Sequence, residues 1–228
     1  MPSPIADRVQ RVIERIHAAE RVAGRANGAV ALVAVSKTQP AEAIRQAAAA
    51  GQQAFAENYL QEALAKQDEL TDLPGLIWHF IGPIQSNKTR PIAERFDWVH
   101  TVDRLRIAER LSQQRPADKP PLNICLQVNV SGEASKSGIS LAALPELAAA
   151  AAQLPRLRLR GLMTIPAPAN GLEQQRMPFQ ILREAMAALA LPGLDTLSMG
   201  MSDDMEAAIL EGATLVRVGT ALFGPRLG

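Results

Sequence analysis

Short apolar runs alternate with longer amphipathic stretches along the chain, a pattern that predicts strands alternating with helices. Eight apolar runs, several of them rich in β-branched residues, begin mostly about 20 to 35 residues apart. We predict strands at Val30–Val35, Gln53–Ala56, Leu76–Ile81, Trp98–Val102, Leu122–Val130, Leu157–Ile165, Thr196–Met199 and Thr214–Val218.

The stretches between the runs carry start and stop signals for helices. Thr38–Glu42 and Ser202–Asp204 are typical helix starts, and acidic side chains favour a helix N-terminus. Gly51 and Gly212 fit helix ends. The leading segment Pro4–Ala23 places its apolar residues on one helical face, which predicts an extra helix.

Strands that alternate with helices pair in parallel through right-handed crossovers. Eight such units in 228 residues predict an α/β fold, a single (β/α)8 TIM barrel over residues 1–228 with the extra N-terminal helix packed against it. An open, doubly wound sheet is the alternative. It is disfavoured because no Gly-x-Gly-x-x-Gly turn follows the first predicted strand.

Composition narrows the class of protein. Hydrophobic residues make up 47% and charged residues 21%, as in an ordinary globular protein, and the net charge of +1 argues against nucleic acid as a partner. A lone cysteine, Cys125, lies in an apolar run and is expected in the core. With no signal peptide or membrane-spanning run, we expect a cytoplasmic protein. The dispersed His and Cys residues predict no metal site.

Polar residues and glycines cluster where the predicted strands end. In a (β/α)8 barrel these ends share one rim, where functional sites form. The clusters are Ser36-Lys37, Glu57-Asn58-Tyr59, His79 to Gly82 with Gln85 to Lys88, Asn129 with Glu133, Lys136 and Gly138, Met163-Thr164, Ser198 to Ser202, and Arg217 to Thr220.

Lys37 ends the first apolar strand. Partial burial favours the neutral amine of a lysine, and a neutral amine attacks aldehydes. A lysine whose ammonium merely reaches water explains the position equally well.

The last two loops suggest a phosphate site. Small residues at Ser198–Ser202 and Gly219-Thr220 follow strands seven and eight, where barrels often bind phosphate through backbone N–H groups. Arg217 precedes the second loop. Its guanidinium can donate a hydrogen bond to the ring nitrogen of a cofactor that lies across the barrel mouth, or it can pair with a carboxylate on the rim. His79 is either an acid–base group or a hydrogen-bonded core histidine, and Glu57 and Asn58 can orient Lys37 or a cofactor hydroxyl.

At these motifs the sequence resembles the YggS/PROSC family of pyridoxal phosphate homeostasis proteins, over nearly the whole chain. The resemblance implies a barrel of the alanine racemase N-terminal type that carries pyridoxal 5′-phosphate (PLP) covalently on Lys37. It implies phosphate contacts at Ser202, Gly219 and Thr220, with Arg217 at the pyridine nitrogen. The remaining cofactor-binding residues that we expect are Asn58, His79 and Met199. Lys136 matches a second lysine of the family that can take PLP transiently, and Ala56 stands where the family often has glycine.

The resemblance further implies a protein that holds PLP, passes it to PLP-dependent apo-enzymes and balances amino and keto acids without robust turnover. Racemisation needs a group on each face of the cofactor, and no residue here is assigned a catalytic role. We expect a monomer that lacks the second domain of the racemases. Two alternatives stay open: an amino-acid racemase of the alanine racemase type, and a Schiff-base or phosphate-sugar barrel enzyme without PLP.

Overall fold

The computed structural model describes residues 4–133 and 137–224. Within them, eight parallel strands form a closed barrel in which each strand pairs with the next and β8 pairs with β1. The strands are β1 (Ala31–Val35), β2 (Ala54–Glu57), β3 (Ile77–Phe80), β4 (Trp98–Val102), β5 (Leu122–Gln127), β6 (Leu157–Met163), β7 (Thr196–Ser198) and β8 (Leu215–Val218).

Helices follow the strands around the outside of the barrel. They are α1 (Pro4–Val22), α2 (Ala41–Ala49), α3 (Leu60–Glu69), α4 (Thr89–Arg95), α5 (Leu105–Gln114), α6 (Leu144–Ala152), α7 (Leu172–Leu189), α8 (Met205–Leu210) and α9 (Thr220–Phe223). A 3-10 turn at Ser86–Lys88 precedes α4. No helix of the described segments is long and apolar enough to cross a membrane.

The predicted barrel is confirmed, and the open sheet is excluded because β8 pairs with β1 from Ala31↔Leu215 to Ala34↔Val218. Six strands are shorter than predicted, and the largest differences at a carboxyl end are in β5 and β6. β5 ends at Gln127 rather than Val130, and β6 ends at Met163 rather than Ile165. Beyond β5 the chain folds back on itself, where Val128 forms a single bridge with Ile139.

Side chains alternate between two apolar layers. Val33, Val35, Ala56 and Ile81 form a small cluster, which is the inner layer of the barrel. Their sequence neighbours lie in the larger cluster between the strands and the helices. This alternation decides which residues at the strand ends can face the barrel mouth.

The predicted N-terminal helix is confirmed as α1. Its polar side chains contact both the segment before β1 and the loop and helix after β7. The buried carboxylate of Glu20 accepts the Val30 N–H at 2.7 Å, just before β1. Arg15 pairs with Glu206 at 2.8 Å and donates to the Ser202 carbonyl at 3.1 Å. The helix therefore braces both the start of β1 and the loop after β7.

Candidate functional site

The carboxyl end of β1 directs Lys37 toward the barrel mouth. Val33 and Val35 point inward, so Lys37, two residues further on, follows the same direction. β1 pairs with β2 in the register Val35↔Ala56. Continuing this register by two residues sets Asn58 beside Lys37, and Lys37 itself is partly buried.

The last strand supplies the other side of the mouth. Arg217 pairs in register with Val33, inside the barrel, and is buried. Gly219, two residues later, lies so close to β1 that an added Cβ would be 3.3 Å from the Val35 carbonyl oxygen. Lys37, Asn58 and Arg217, which are far apart in sequence, thus line one opening.

A buried polar network lies behind Lys37, between the barrel wall and α3. The Lys66 ammonium donates to the Ser36 carbonyl at 2.7 Å, to Glu57 Oε1 at 2.7 Å and to Glu62 Oε1 at 2.6 Å. Ser36 Oγ also donates to Glu57 Oε1 at 2.7 Å. The residue directly before Lys37 is therefore held through both its backbone and its side chain.

The structure gives Glu57 a different role from the one expected. Its side chain points away from the barrel interior toward α3, because it alternates with the inward-facing Ala56. Glu57 acts on Ser36 rather than on Lys37 or a cofactor hydroxyl. Burial raises the pKa of Glu57, and the hydrogen bond from Lys66 offsets this only in part.

The residue directly after Lys37 has a strained backbone. Thr38 adopts φ 64°, the left-handed region that a β-branched residue rarely enters. Its N–H donates to Glu62 Oε1 at 2.6 Å, the same oxygen that accepts from Lys66. This carboxylate stabilises the turn that points Lys37 into the mouth.

A chain of hydrogen bonds crosses the barrel interior below the mouth. His79 Nδ1 lies 2.9 Å from His100 Nε2, and His100 Nδ1 lies 2.7 Å from Ser198 Oγ. Arg217 donates to Ser198 Oγ at 2.6 Å and to the Thr164 carbonyl at 3.0 Å. The chain fixes Arg217 and holds the buried side chain of His79 inside the barrel, and a contact of His79 with a cofactor stays a prediction.

Burial sets the charge states along this chain. Burial lowers the pKa of His79 to about 3, and burial together with His79 and Arg217 holds the pKa of His100 well below its usual value. Burial also lowers the pKa of Arg217, to about 10. Near neutral pH both imidazoles are therefore neutral and the guanidinium is charged. A consistent assignment has Ser198 donating to His100 and His100 donating to His79.

The buried histidines make stability depend on pH. Their pKa is lower in the folded chain than in the unfolded one, and for His79 the unfolded state binds more protons between pH 6.5 and about 3. We expect stability to be lost as the pH falls through this window, by about 1.4 kcal/mol per pH unit from His79, and the titration of His100 acts in the same direction. His79→Gln should show a shallower loss, measured as the free energy of unfolding in urea at several pH values.

The slope of His79→Gln is compared with that of wild type, because Glu57 and Asp204 titrate in both proteins and their contributions cancel in the difference. Burial raises the pKa of both carboxyls, so their ionisation destabilises the fold as the pH rises, opposite in sign to the histidines. The difference between the two proteins reports the titration of His79 together with its effect on the pKa of the neighbouring His100. Equal slopes for wild type and His79→Gln would show that His79 is protonated as readily in the folded state as in the unfolded state.

The loops after β7 and β8 meet, as the sequence predicts. Ser202 Oγ lies 3.4 Å from the Ala221 N–H, in the first turn of α9. Gly219 and Thr220 begin the same turn, where N–H groups have no partner within the helix. A phosphate contact at Ser202, Gly219 and Thr220 stays a prediction, but the three residues do lie together.

Met199 does not fit a side-chain contact with a cofactor. Its side chain is fully buried in the outer core between strands and helices, whereas the preceding Ser198 faces inward. Only the Met199 backbone lies at the end of β7, and its N–H donates to the Leu215 carbonyl at 3.1 Å. Lys136, the second lysine of interest, lies outside the described residues.

A cavity of about 580 Å³ adjoins the mouth on the side of β2 and β3. Asn58, Tyr59 and Ile84 line it, together with the cations of Lys88 and Arg104. Asn58 Oδ1 is buried and accepts no hydrogen bond from any described residue. The amide oxygen is thus available to a donor that enters the mouth.

Sequence reasoning missed three polar residues that the structure joins to the site: Glu62, Lys66 and His100. His100 was detectable, because strand alternation turns it inward, and Ser198, named only as part of the phosphate loop, turns inward in the same way. Glu62 and Lys66 form an i,i+4 pair on α3, which normally indicates a solvated face. Nothing local in the sequence signals that this pair is turned against β1 and β2.

The family profile described as "Alanine racemase, N-terminal domain" matches residues 13–226. The chain is therefore a barrel of this class. The pyridoxal phosphate homeostasis protein of Pseudomonas aeruginosa PAO1 is 66% identical over 224 residues, which cover 98% of this chain and 96% of that protein. With this identity and coverage, the chain belongs to the family of pyridoxal phosphate homeostasis proteins.

Solved structures agree with this placement. PipY of Synechococcus elongatus PCC7942, in a structure with PLP bound, is 41% identical with a TM-score of 0.83, and covers 96% of this chain and 100% of its own. Alanine racemase from Corynebacterium glutamicum is 18% identical with a TM-score of 0.68, covering 98% of this chain and 62% of its own. At that identity, the racemase likeness shows the fold alone.

Proposed function

We propose that this chain binds PLP at the barrel mouth as a Schiff base with Lys37, and that it serves PLP homeostasis by holding the cofactor and releasing it to PLP-dependent apo-enzymes. The proposal rests on one observation: Lys37, Asn58 and Arg217 converge on one opening with two loops, the loop after β7 that contains Ser202 and the loop after β8 that contains Gly219. The PLP bound in the PipY structure supports the choice of cofactor.

The amine of Lys37 is the group that would hold PLP covalently. When bound, PLP supplies an aldehyde that condenses with amines. Lys37 is partly buried and is aimed by its strand into the mouth, so its amine can meet the aldehyde carbon there. The neighbouring Asn58 Oδ1 is a buried acceptor that fits the 3-hydroxyl of the cofactor.

Arg217 fits the pyridine nitrogen. Two of its N–H groups bind Ser198 and Thr164, and other donors of the guanidinium remain for the ring. Burial lowers the pKa of Arg217 only to about 10, so it stays charged near neutral pH and leaves the ring nitrogen unprotonated. An unprotonated ring is a weak electron sink, which supports binding over turnover.

Ser202, Gly219 and Thr220 fit the phosphate. The Ser202 hydroxyl and the N–H groups at the start of α9 face one another across the two loops. Gly219 packs against Val35 with little room to spare, so the backbone can approach an anion closely. A small, donor-rich concavity of this kind suits a phosphate group.

Loading the wild-type protein with PLP tests the proposal. We expect a visible absorption band, and reduction with borohydride should leave the cofactor on the Lys37 peptide at one equivalent per chain. Mass spectrometry of the digested protein measures the site. A colourless protein, or label spread over many lysines, would contradict the proposal.

Two controls separate the parts of the proposal. Pyridoxal, which lacks the phosphate, should load at least about tenfold more weakly if the two loops bind phosphate, a loss of about 1.4 kcal/mol.

Incubation with L-alanine followed by chiral separation distinguishes a holder of PLP from a racemase. Rapid, saturable inversion would contradict the absence of robust turnover.

A further inference from the structure

Three acidic and basic residues hold the turn on which Lys37 sits. Glu57, Glu62 and Lys66, together called the α3 clamp, contact the residue before Lys37 and the residue after it. We propose that Lys66 is a positioning residue, which keeps this turn in the conformation that directs the Lys37 amine into the mouth. The inference rests on the proposed role of Lys37.

Lys66 is fully engaged in the clamp. Its side chain is 6% exposed, and its ammonium has three N–H groups that meet three acceptors on Ser36, Glu57 and Glu62. Those acceptors lie directly after β1, on β2 and on α3. Lys66 is therefore the only one of the three clamp residues that bonds directly to the backbone of β1's carboxyl end and to both carboxylates.

The strain at Thr38 explains why the turn needs such a clamp. A left-handed backbone conformation destabilises a non-glycine residue such as Thr38, and its β-branched side chain adds to the strain. The bond from the Thr38 N–H to Glu62 offsets this strain, and Lys66 holds the Glu62 carboxylate in place at 2.6 Å. Without Lys66, Glu62 is drawn toward solvent and the turn can relax.

Stability alone gives a weak reason for burying these charges. A buried ion pair is often replaceable by apolar side chains of similar volume without loss of stability. The α3 clamp instead forms hydrogen bonds with the backbone of one turn, at Ser36 and at Thr38, and Lys37 lies between these two residues. The placement fits positioning better than packing.

The test compares Lys66→Met with Glu211→Gln. Glu211 is likewise buried and pairs with Arg176 and Arg183, but it lies at the end of α8 on the side of the barrel away from the mouth. In the protein without PLP, we expect Lys66→Met to speed hydrogen exchange at the Thr38 amide by at least about tenfold. In loading experiments, it should slow borohydride-trappable attachment at Lys37 by a similar factor.

Glu211→Gln should change neither quantity, whatever it does to stability. Glu62→Ala provides a second variant, since its side chain is partly exposed and it removes the acceptor of the Thr38 N–H directly. Adding Thr38→Gly to Lys66→Met relieves the left-handed strain and should restore much of the loading rate. A wild-type loading rate in Lys66→Met would overturn the inference, and wild-type Thr38 exchange in both Lys66→Met and Glu62→Ala would do the same.

The outcomes also distinguish this inference from the proposed function. If wild type attaches no PLP at Lys37, the proposed function fails, while the Thr38 exchange still measures the clamp. If wild type attaches PLP and Lys66→Met attaches it equally fast, the proposed function stands and the positioning role of Lys66 fails.

Discussion

Replacing Lys37 by alanine is expected to abolish covalent attachment of PLP. Lys37 is directed inward after the end of β1, with Asn58 beside it directly after β2 and Gly219 close to β1 on the other side. The variant has no amine at this point, so borohydride should leave no cofactor on the protein. Intact-mass measurement after reduction gives the result directly, because each reduced adduct adds a fixed mass.

The fold should survive this change, because Lys37 is only partly buried and lies outside the strand ladder. Lys119→Ala is the control. Lys119 is exposed, lies in the loop before β5 and donates to the Glu94 carbonyl at 2.6 Å, away from the carboxyl ends of the strands, so its variant should attach PLP as wild type does. Stoichiometric label on another lysine of the Lys37→Ala protein, Lys136 included, would show that the covalent site is assigned to the wrong residue.

The barrel was predictable because its signal is repeated along the chain. Each apolar run is followed by a helix of suitable length, and eight repeats are enough to close a barrel. Strand ends were less predictable. The apolar residues Val128 and Val130 extend the β5 run in sequence, but Val128 forms only a single bridge with Ile139, within the loop. Local hydrophobicity does not distinguish a ladder from such a bridge.

The candidate site was predictable only where strand position and residue type agree. Lys37, Asn58 and Arg217 end or follow apolar strands, and strand alternation turns all three inward. Met199 follows such a strand too, but alternation turns its side chain outward, where it is buried among the helices. Applying the alternation rule to β7 would have excluded its side chain.

The polar residues that support the site were not predictable from local patterns. Lys66 and Glu62 lie on α3, and their contacts to Ser36 and Thr38 span 24 to 30 residues of sequence. Such contacts depend on how α3 lies against β1 and β2. The sequence therefore indicated the residues that face the mouth. It did not indicate Glu62 and Lys66, whose hydrogen bonds hold the turn on which Lys37 lies.

The charges inside the barrel fit the proposal that this chain holds PLP without robust turnover. His79 and His100 are neutral near neutral pH, and they bond to each other while His100 also bonds to Ser198. Ser198 in turn accepts a hydrogen bond from Arg217, so this chain serves to fix Arg217. A general acid or base needs a free nitrogen that can exchange a proton with the reacting atoms, and both nitrogens of His100 are used in the chain.

Gly82→Ala is expected to destabilise the fold and to abolish PLP attachment together. A Cβ at Gly82 would lie 2.0 Å from the Asn58 carbonyl oxygen, and the Gly82 carbonyl is itself held by Thr101 Oγ1 at 2.6 Å. Neither backbone can yield without separating the ends of β2 and β3. We expect a loss of about 3 kcal/mol or more, measured from the urea midpoint at unchanged m-value.

The neighbouring Pro83→Ala separates this contact from a general effect on the loop. Pro83 is exposed, so its replacement acts mainly through the unfolded chain and should change stability by no more than about 1 kcal/mol. It should also load PLP at the wild-type rate. If Gly82→Ala were as stable as Pro83→Ala and still attached PLP at Lys37, then close packing of β3 against Asn58 would not be what shapes this side of the mouth.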